Sequence, residues 1–220
     1  MKHQVLLLTL VFALPVPVAA QEAMAPAREE FSWGTMVAPA ALPDGASALY
    51  GYVGVPEMGA GYRQGISGLE LEGQARLDYF KLAGIFEVGA RKAVVKQGPA
   101  TFAPRLGLGL VLNSGSTYLD ADNFRGAMLR INPGLVVSWS VAETVAVVGL
   151  LDVPIDLGVS PTGQRRIQAL TGGGAEIYLG SGITLLTAGQ VGVESFKEQL
   201  KTPVTRVGYQ VTLGIGTRLF

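Results

Sequence analysis

Polar and apolar residues alternate along most of this chain, and that period of two constrains the fold more than any other feature. Between residues 68 and 78, Leu69 and Leu71 fall on one face of an extended chain, while Glu70 and Glu72 fall on the other. A helix would mix these two sets, whereas a strand separates them. The same separation recurs in seven further long segments: residues 80–91, 105–113, 129–141, 145–157, 168–179, 183–194 and 207–219.

Strand length favours a membrane over a soluble sheet. Soluble strands average about 5–6 residues, whereas a tilted strand that crosses a bilayer needs about 9–11. Most of the long segments have 10 to 15 residues, and two shorter candidates, residues 47–55 and 61–66, precede them. The pattern predicts an all-β protein: an antiparallel, up-and-down transmembrane β-barrel of about 8–10 strands.

The first 20 residues have the three parts of a secretory signal peptide. Lys2 provides the basic start, residues 5–14 form the apolar run, and Val18 and Ala20 are the small residues expected before cleavage. Residues 21–44 are rich in Ala and Pro and are predicted to form a flexible leader, partly packed into the domain. Residues 45–220 then form the barrel.

Composition argues against most enzymes and against nucleic-acid binding. The chain has 17 basic and 17 acidic residues, so it has no basic surplus to neutralise phosphates. It has no Cys, and its only histidine, His3, lies in the predicted signal peptide. Without His or Cys, nucleophilic triads and the commonest metal ligands are excluded. We therefore expect no catalytic residues, no metal and no cofactor.

Turn residues divide the chain into short and long connections. Residues 180–182 and 142–143 predict tight turns, whereas residues 114–123, 158–165 and 197–203 predict longer polar loops. Membrane barrels place tight turns on one side of the membrane and loops on the other. The loops would then serve as contact surfaces.

Residues 133–151 carry a single charge, Glu143, and would also suit a transmembrane helix. Their Val-rich composition and the alternation on both sides of residues 142–143 favour a hairpin. Pro133 has no N–H for a ladder bond, so we expect a bulge or kink there.

The polar faces of the strands carry nearly balanced charges. In a barrel of about eight strands, side chains just fill the interior, and a buried ion that stays unpaired costs several kcal/mol. These charges should therefore pair in a closed lumen, although a narrow polar conduit stays open as the alternative. The predicted lumen residues are Glu70, Glu72, Arg76, Glu87, Arg91, Arg105, Arg130, Asp152, Asp156, Glu176, Glu194 and Arg218, with Asp78 and Lys81 beside them.

The chain ends on an aromatic residue directly after an alternating strand. Tyr209, Gly214, Leu219 and Phe220 in this ending resemble the C-terminal insertion signal of bacterial outer-membrane β-barrel proteins, although Thr217 stands where that family usually has a larger residue. The resemblance implies an outer-membrane location, contact with outer-membrane lipid, and insertion by the barrel-assembly machinery through the last strand. Interface aromatics would be Tyr79, Phe80, Phe124, Trp139, Phe196 and Phe220.

These patterns leave three functions open. The first is a non-enzymatic structural or surface-interaction barrel with a largely side-chain-filled lumen. The second is a narrow channel or transporter for small solutes or hydrophobic compounds. The third is a soluble periplasmic, lipocalin-like barrel whose apolar face points inward to hold a lipid.

Overall fold

The computed structural model describes residues 35–219 of the 220-residue chain. The predicted signal peptide, the first part of the predicted leader and Phe220 lie outside the described residues.

The strands form one antiparallel sheet that closes on itself. They are β1 (Ser47–Val55), β2 (Glu57–Ile66), β3 (Leu69–Asp78), β4 (Ala83–Arg91), β5 (Val95–Gln97), β6 (Ala100–Ser114), β7 (Arg125–Ala142), β8 (Val145–Asp152), β9 (Ile155–Ser160), β10 (Thr162–Gly180), β11 (Ile183–Lys197) and β12 (Val204–Arg218). β1 pairs with β2 on one side and with β12 on the other, so the first and last strands join. This closure confirms the predicted barrel.

Two strands of the barrel wall are interrupted. β4 and β5 both pair with β6, and β8 and β9 both pair with β7 and β10. The backbone N–H of Val94 still donates to the carbonyl of Phe102 at 2.9 Å, which bridges the first interruption. The 12 strands therefore occupy ten positions in the wall, at the upper end of the predicted range.

Pro133 lies in β7, opposite the interruption between β8 and β9. The register of β7 with these two strands is the same on both sides of the interruption, so no residue is inserted there. Of the two distortions expected at Pro133, the bulge is therefore wrong, and the kink stays a prediction. Ladder bonds are missing there because Pro133 and Pro154 have no N–H to donate. The carbonyl of Pro133 still accepts a hydrogen bond from the N–H of Val153 at 2.9 Å.

The two ends of the barrel differ in their connections. At the end that we call the tight-turn end, every connection has two residues: 67–68, 98–99, 143–144 and 181–182. β1 begins and β12 ends at this same end. At the opposite end, called the loop end, the connections are residue 56, residues 79–82, residues 115–124, residue 161 and residues 198–203. The predicted division into a tight-turn side and a loop side is thus present.

One predicted loop is absent. Residues 158–165 form the ends of β9 and β10, joined through Pro161 alone, so the long loop predicted there is wrong. The β-pairing of Thr162 with Val159 continues the hairpin to its tip, although polar residues around the turn had suggested a loop. Residues 115–124 and 198–203 are loops, as predicted.

The apolar faces of the strands point outward. Leu213 is 56% exposed and Leu69 is also exposed, whereas Glu72 is only 8% exposed and Arg130 is buried. A lipocalin-like lipid carrier needs the opposite arrangement, so that alternative is wrong. An exterior of exposed Leu, Val and Ile side chains around a charged interior suits hydrocarbon surroundings.

Two aromatic residues depart from the predicted girdle. Phe124 and Phe196 are buried and pack against each other with ring centroids 6.2 Å apart. They belong to a buried apolar cluster with Ile85, Val111 and Met128. Their assignment to the membrane interface is therefore wrong, whereas Trp139 is exposed near the tight-turn end.

Residues 133–151 form the hairpin of β7 and β8, as the alternation predicts. Within residues 35–219, no helix has the length and hydropathy to cross a membrane.

Candidate functional site: the barrel lumen

The described part of the leader lies inside the barrel. Residues 35–42, which we call the luminal segment, are buried except for Val37 and Pro39, which are half-buried. The segment joins β1 at the tight-turn end and crosses the lumen close to that end. Its contacts run from Glu70 on β3, past Ser138 on β7, to Glu176 on β10. The leader therefore contributes a plug to the lumen.

Glu176 holds the luminal segment through backbone groups. One carboxylate oxygen accepts from the N–H of Thr35 and Met36 at 2.9 and 3.1 Å, and the other accepts from Val37 and Ala38 at 2.8 Å each. Four N–H donors stabilise the charge of this buried carboxylate in place of a cation. The Thr35 hydroxyl also contacts the hydroxyl of Thr184.

Two glycines on β12 make room for the segment. A Cβ on Gly214 would lie within contact distance of the Met36 side chain, and a Cβ on Gly216 would meet Thr35. Both glycines therefore face the lumen.

Of the residues that resemble the insertion signal, Tyr209 is exposed on the outer face and Leu219 follows the strand end.

At the tight-turn end, two Arg–Glu pairs hold the wall beside the luminal segment. Arg63 donates from Nε and Nη2 to Glu70 at 2.8 and 2.7 Å, and both side chains are fully buried. Arg91 binds Glu72 at 2.6 Å, and Tyr50 donates its hydroxyl to the same carboxylate. Burial strengthens such pairs because water does not compete for the charges.

In the middle of the lumen, Arg76 and Arg105 bridge acids from several strands. Arg76 binds Glu57 at 3.2 Å and Glu87 at 2.7 Å, and Arg105 binds Asp152 at 3.0 Å. Amide side chains complete this layer: Gln74 and Asn132 donate to Glu87, and Gln190 donates to Asp152.

Toward the loop end, Asp156 accepts from two guanidinium groups. Arg130 donates to both oxygens at 2.7 and 2.9 Å, and Arg166 donates from Nε at 2.8 Å. Lys81 lies nearby, with its Nζ 3.1 Å from Asp78 and 3.6 Å from Glu194.

The loop of residues 115–124 folds back into the mouth at the loop end. Asp120 accepts two hydrogen bonds from Arg206, each of 2.6 Å, and Arg206 also binds Glu194 at 3.0 Å. Burial opposes ionisation of Asp120, but the hydrogen bonds and charge of Arg206 outweigh it and lower the pKa of Asp120. Arg206 also lies over the Phe196 ring, 5.1 Å from its centroid.

The predicted lumen residues thus lie in three layers along the barrel. Glu176 binds backbone N–H groups, and Arg218 lies half-buried at the tight-turn rim. The sequence prediction did not include Arg63, Arg166 and Arg206. It also lacked Glu57, which binds Arg76, and Asp120, which binds Arg206. Arg63 could have been found from its inward position in the alternation of β2. Arg166 lies in β10 and Arg206 lies in β12, each before the residue at which its strand was predicted to begin.

Two small cavities lie on the axis between the plugged ends. The larger, of about 100 Å³, borders Met36 and Val37 of the luminal segment. The smaller, of about 40 Å³, borders Lys81, Arg130 and Arg166. Four side chains line both cavities: Arg76, Arg105, Asp152 and Gln210. Across the described residues, no cluster of three or more His, Cys, Asp or Glu is arranged to hold a metal ion.

Comparison with solved structures finds porins and a designed transmembrane β-barrel. The NanC porin is 12% identical over 79% of this chain and 100% of its own, with a TM-score of 0.44. A de novo designed transmembrane β-barrel is 15% identical, with coverages of 81% and 99% and a TM-score of 0.35. The KdgM porin in complex with disordered oligogalacturonate is 10% identical, with coverages of 80% and 99% and a TM-score of 0.39. No family model matches the sequence. No curated protein matches it either.

The architecture is that of a small outer-membrane β-barrel. It is closed and antiparallel, its exterior is apolar, and one end has only two-residue turns. Because the structural similarities have TM-scores below 0.5, the function has to be inferred from the residues of this chain.

Proposed function

We propose that the mature chain is an integral protein of the bacterial outer membrane with a structural or surface-interaction role and no catalytic activity. A closed lumen carries this proposal. The luminal segment covers one end, ion pairs fill the middle, and the loop of residues 115–124 closes the other end. These groups obstruct the interior at both ends and in the middle.

The loops at the loop end are the proposed contact surface. Residues 115–124 and 198–203 form the longest connections, and Tyr118 and Leu200 on them are almost fully exposed. The outer face of the barrel would contact lipid. The last strand, which closes the barrel against β1, would be the segment that the barrel-assembly machinery engages.

Fractionation and conductance together test this proposal. The mature chain should be recovered from the outer membrane only with detergent, and its folded form should migrate differently from the heated form on a gel. In planar bilayers containing KCl, it should show no stable single-channel steps. Recovery from the soluble periplasm would overturn the membrane location, whereas regular conductance steps would overturn the closed lumen.

The channel alternative gains support from the two axial cavities. The smaller cavity is lined mainly by charged and amide side chains. The larger one combines such side chains with apolar ones from Val136, Leu150 and Leu186, and the side chains that separate the two cavities belong to the wall. Narrow conduits in membranes are lined by such polar groups. This alternative requires the closures at the two ends to move.

A further inference from the structure

We propose that the luminal segment and the loop of residues 115–124 are two separate closures in series on one latent conduit along the barrel axis. The inference goes beyond the proposed function, because it concerns a state in which both closures have left the lumen. It rests on the proposed function for the location in a membrane and for the closed lumen of the wild type.

The axial cavities mark the path of the conduit. The larger cavity ends against the luminal segment, and the smaller one reaches the Lys81–Arg166 layer below the loop. Between them stand side chains of Arg76, Arg105, Asp152 and Gln210, which line both cavities. A path through this level needs these side chains, most of them ion-paired, to change rotamer, a rearrangement that leaves the backbone of the wall in place.

The luminal segment can leave without disturbing the sheet. The segment pairs with no strand. Its backbone bonds go to side chains on the wall, namely those of Arg63, Glu70, Ser138 and Glu176. Both ends of the segment lie near the tight-turn end: Thr35 contacts Thr184 next to a turn, and the segment joins β1 there. It can therefore withdraw toward that end alone.

The second closure has its own set of contacts. Asp120 holds the loop to Arg206, and Phe124 packs on Phe196 below it. The amide of Asn123 donates to the backbone carbonyl of Lys81 at 3.0 Å. None of these groups contacts the luminal segment among the described hydrogen bonds and ion pairs. The two closures are thus held independently, at opposite ends of the lumen.

Closures in series have a distinctive consequence: removing either one leaves the other in place. We therefore expect conductance only when both are removed. Three variants test this in planar bilayers with KCl as the probe. One lacks residues 35–42, one carries Asp120→Ala with Phe124→Ser, and one combines all of these changes. Each variant is first shown to be folded by its heat-dependent gel mobility.

The combined variant should give stable conductance steps, and both partial variants should stay as silent as the wild type. A matched control combines the deletion with Glu198→Ala and Lys201→Ala, which remove an exposed ion pair from the other loop at the same end. This control should remain silent.

If the deletion prevents folding, Glu176→Gln replaces it, since that change weakens the hold on the segment without shortening the chain. A folded combined variant that does not conduct would overturn the latent conduit. Conductance from either partial variant would overturn the series arrangement. Conductance from the wild type would instead refute the proposed function, so the two failures are distinguishable.

Discussion

Glu176→Gln is the sharpest test of how the lumen is plugged. In the native protein, each oxygen of the Glu176 carboxylate accepts two backbone N–H groups of the luminal segment, at distances of 2.8 to 3.1 Å. Gln keeps the size and shape of the side chain. It replaces one oxygen by an NH₂ group, which cannot accept a hydrogen bond and which faces two N–H donors.

The expected loss follows from these four bonds. A hydrogen bond to a charged group contributes about 1.5–3 kcal/mol, so losing two of them costs about 3–6 kcal/mol. The remaining two become neutral bonds, which are roughly half as strong as charge-assisted ones. Even the lower limit of about 3 kcal/mol corresponds to about a 100-fold change in the opening equilibrium of the segment.

Amide hydrogen exchange reports this local opening directly. In refolded protein in detergent micelles, a peptide covering residues 35–42 should exchange about 100-fold faster in Glu176→Gln than in the wild type. Peptides from β6 and β11 should keep their protection, because the barrel wall is unchanged.

Glu57→Gln is the matched control. Glu57 is also a lumen carboxylate, but its partner is Arg76 and it makes no described bond to the luminal segment. Exchange in residues 35–42 should stay at the wild-type rate in this variant. Unchanged protection in folded Glu176→Gln would refute the reasoning, and so would an equal acceleration in both variants.

Three further outcomes are expected. Asp156→Ala leaves two buried guanidinium groups without their carboxylate, so the free energy of unfolding in detergent should fall by about 3–5 kcal/mol; a loss below about 1 kcal/mol would contradict the buried pairing. The pKa of Asp120 is lowered in the folded protein, so its bond to Arg206 stabilises the loop at pH values above the ordinary carboxyl pKa. This stabilisation is lost as the pH falls through the lowered pKa. Protease cleavage within residues 115–124 should therefore rise on acidification in the wild type, whereas Asp120→Asn should show no such dependence. Trp139 is 53% exposed on the outer face. In a Trp33→Phe background, which leaves Trp139 as the single tryptophan, brominated lipid should quench its fluorescence strongly. Quenching no greater than for free tryptophan in buffer would contradict a lipid-facing wall.

Alternation was sufficient to predict the wall of the barrel. Side chains two residues apart share a face, so the pattern around Leu69 and Glu70 fixes which side each residue takes once the chain is extended. The ten predicted segments correspond to the ten positions in the wall. The sequence also predicted that the apolar faces point outward. Strands of that length, each with one apolar face, fit a membrane better than water, and the predicted signal peptide fits the same location.

Alternation was not sufficient to locate strand ends or partners. β10 begins at Thr162, well before the predicted start near residue 168, because cross-strand bonds to β9 and β11 extend the hairpins past the apolar region. Polar residues at such ends resemble loop residues in the sequence. For this reason the prediction missed Arg166 and Arg206 and misassigned residues 158–165.

The buried Phe124 and Phe196 show the same limit. Each lies near a strand end, where an aromatic side chain suits either a membrane interface or a lumen mouth. Their position was decided by the inward fold of the loop of residues 115–124, which depends on contacts between Asp120 and a strand 86 residues away.

By itself, the sequence determined the class of the protein, the alternating wall and many of the charges that face inward, since these depend on local periodicity. Only the tertiary structure decided what closes the lumen. An Ala- and Pro-rich segment has no periodic signal of its own, and its position depends on four N–H groups reaching a carboxylate about 140 residues later in the chain. Such long-range contacts exist only after the barrel has brought distant strands together around a common axis.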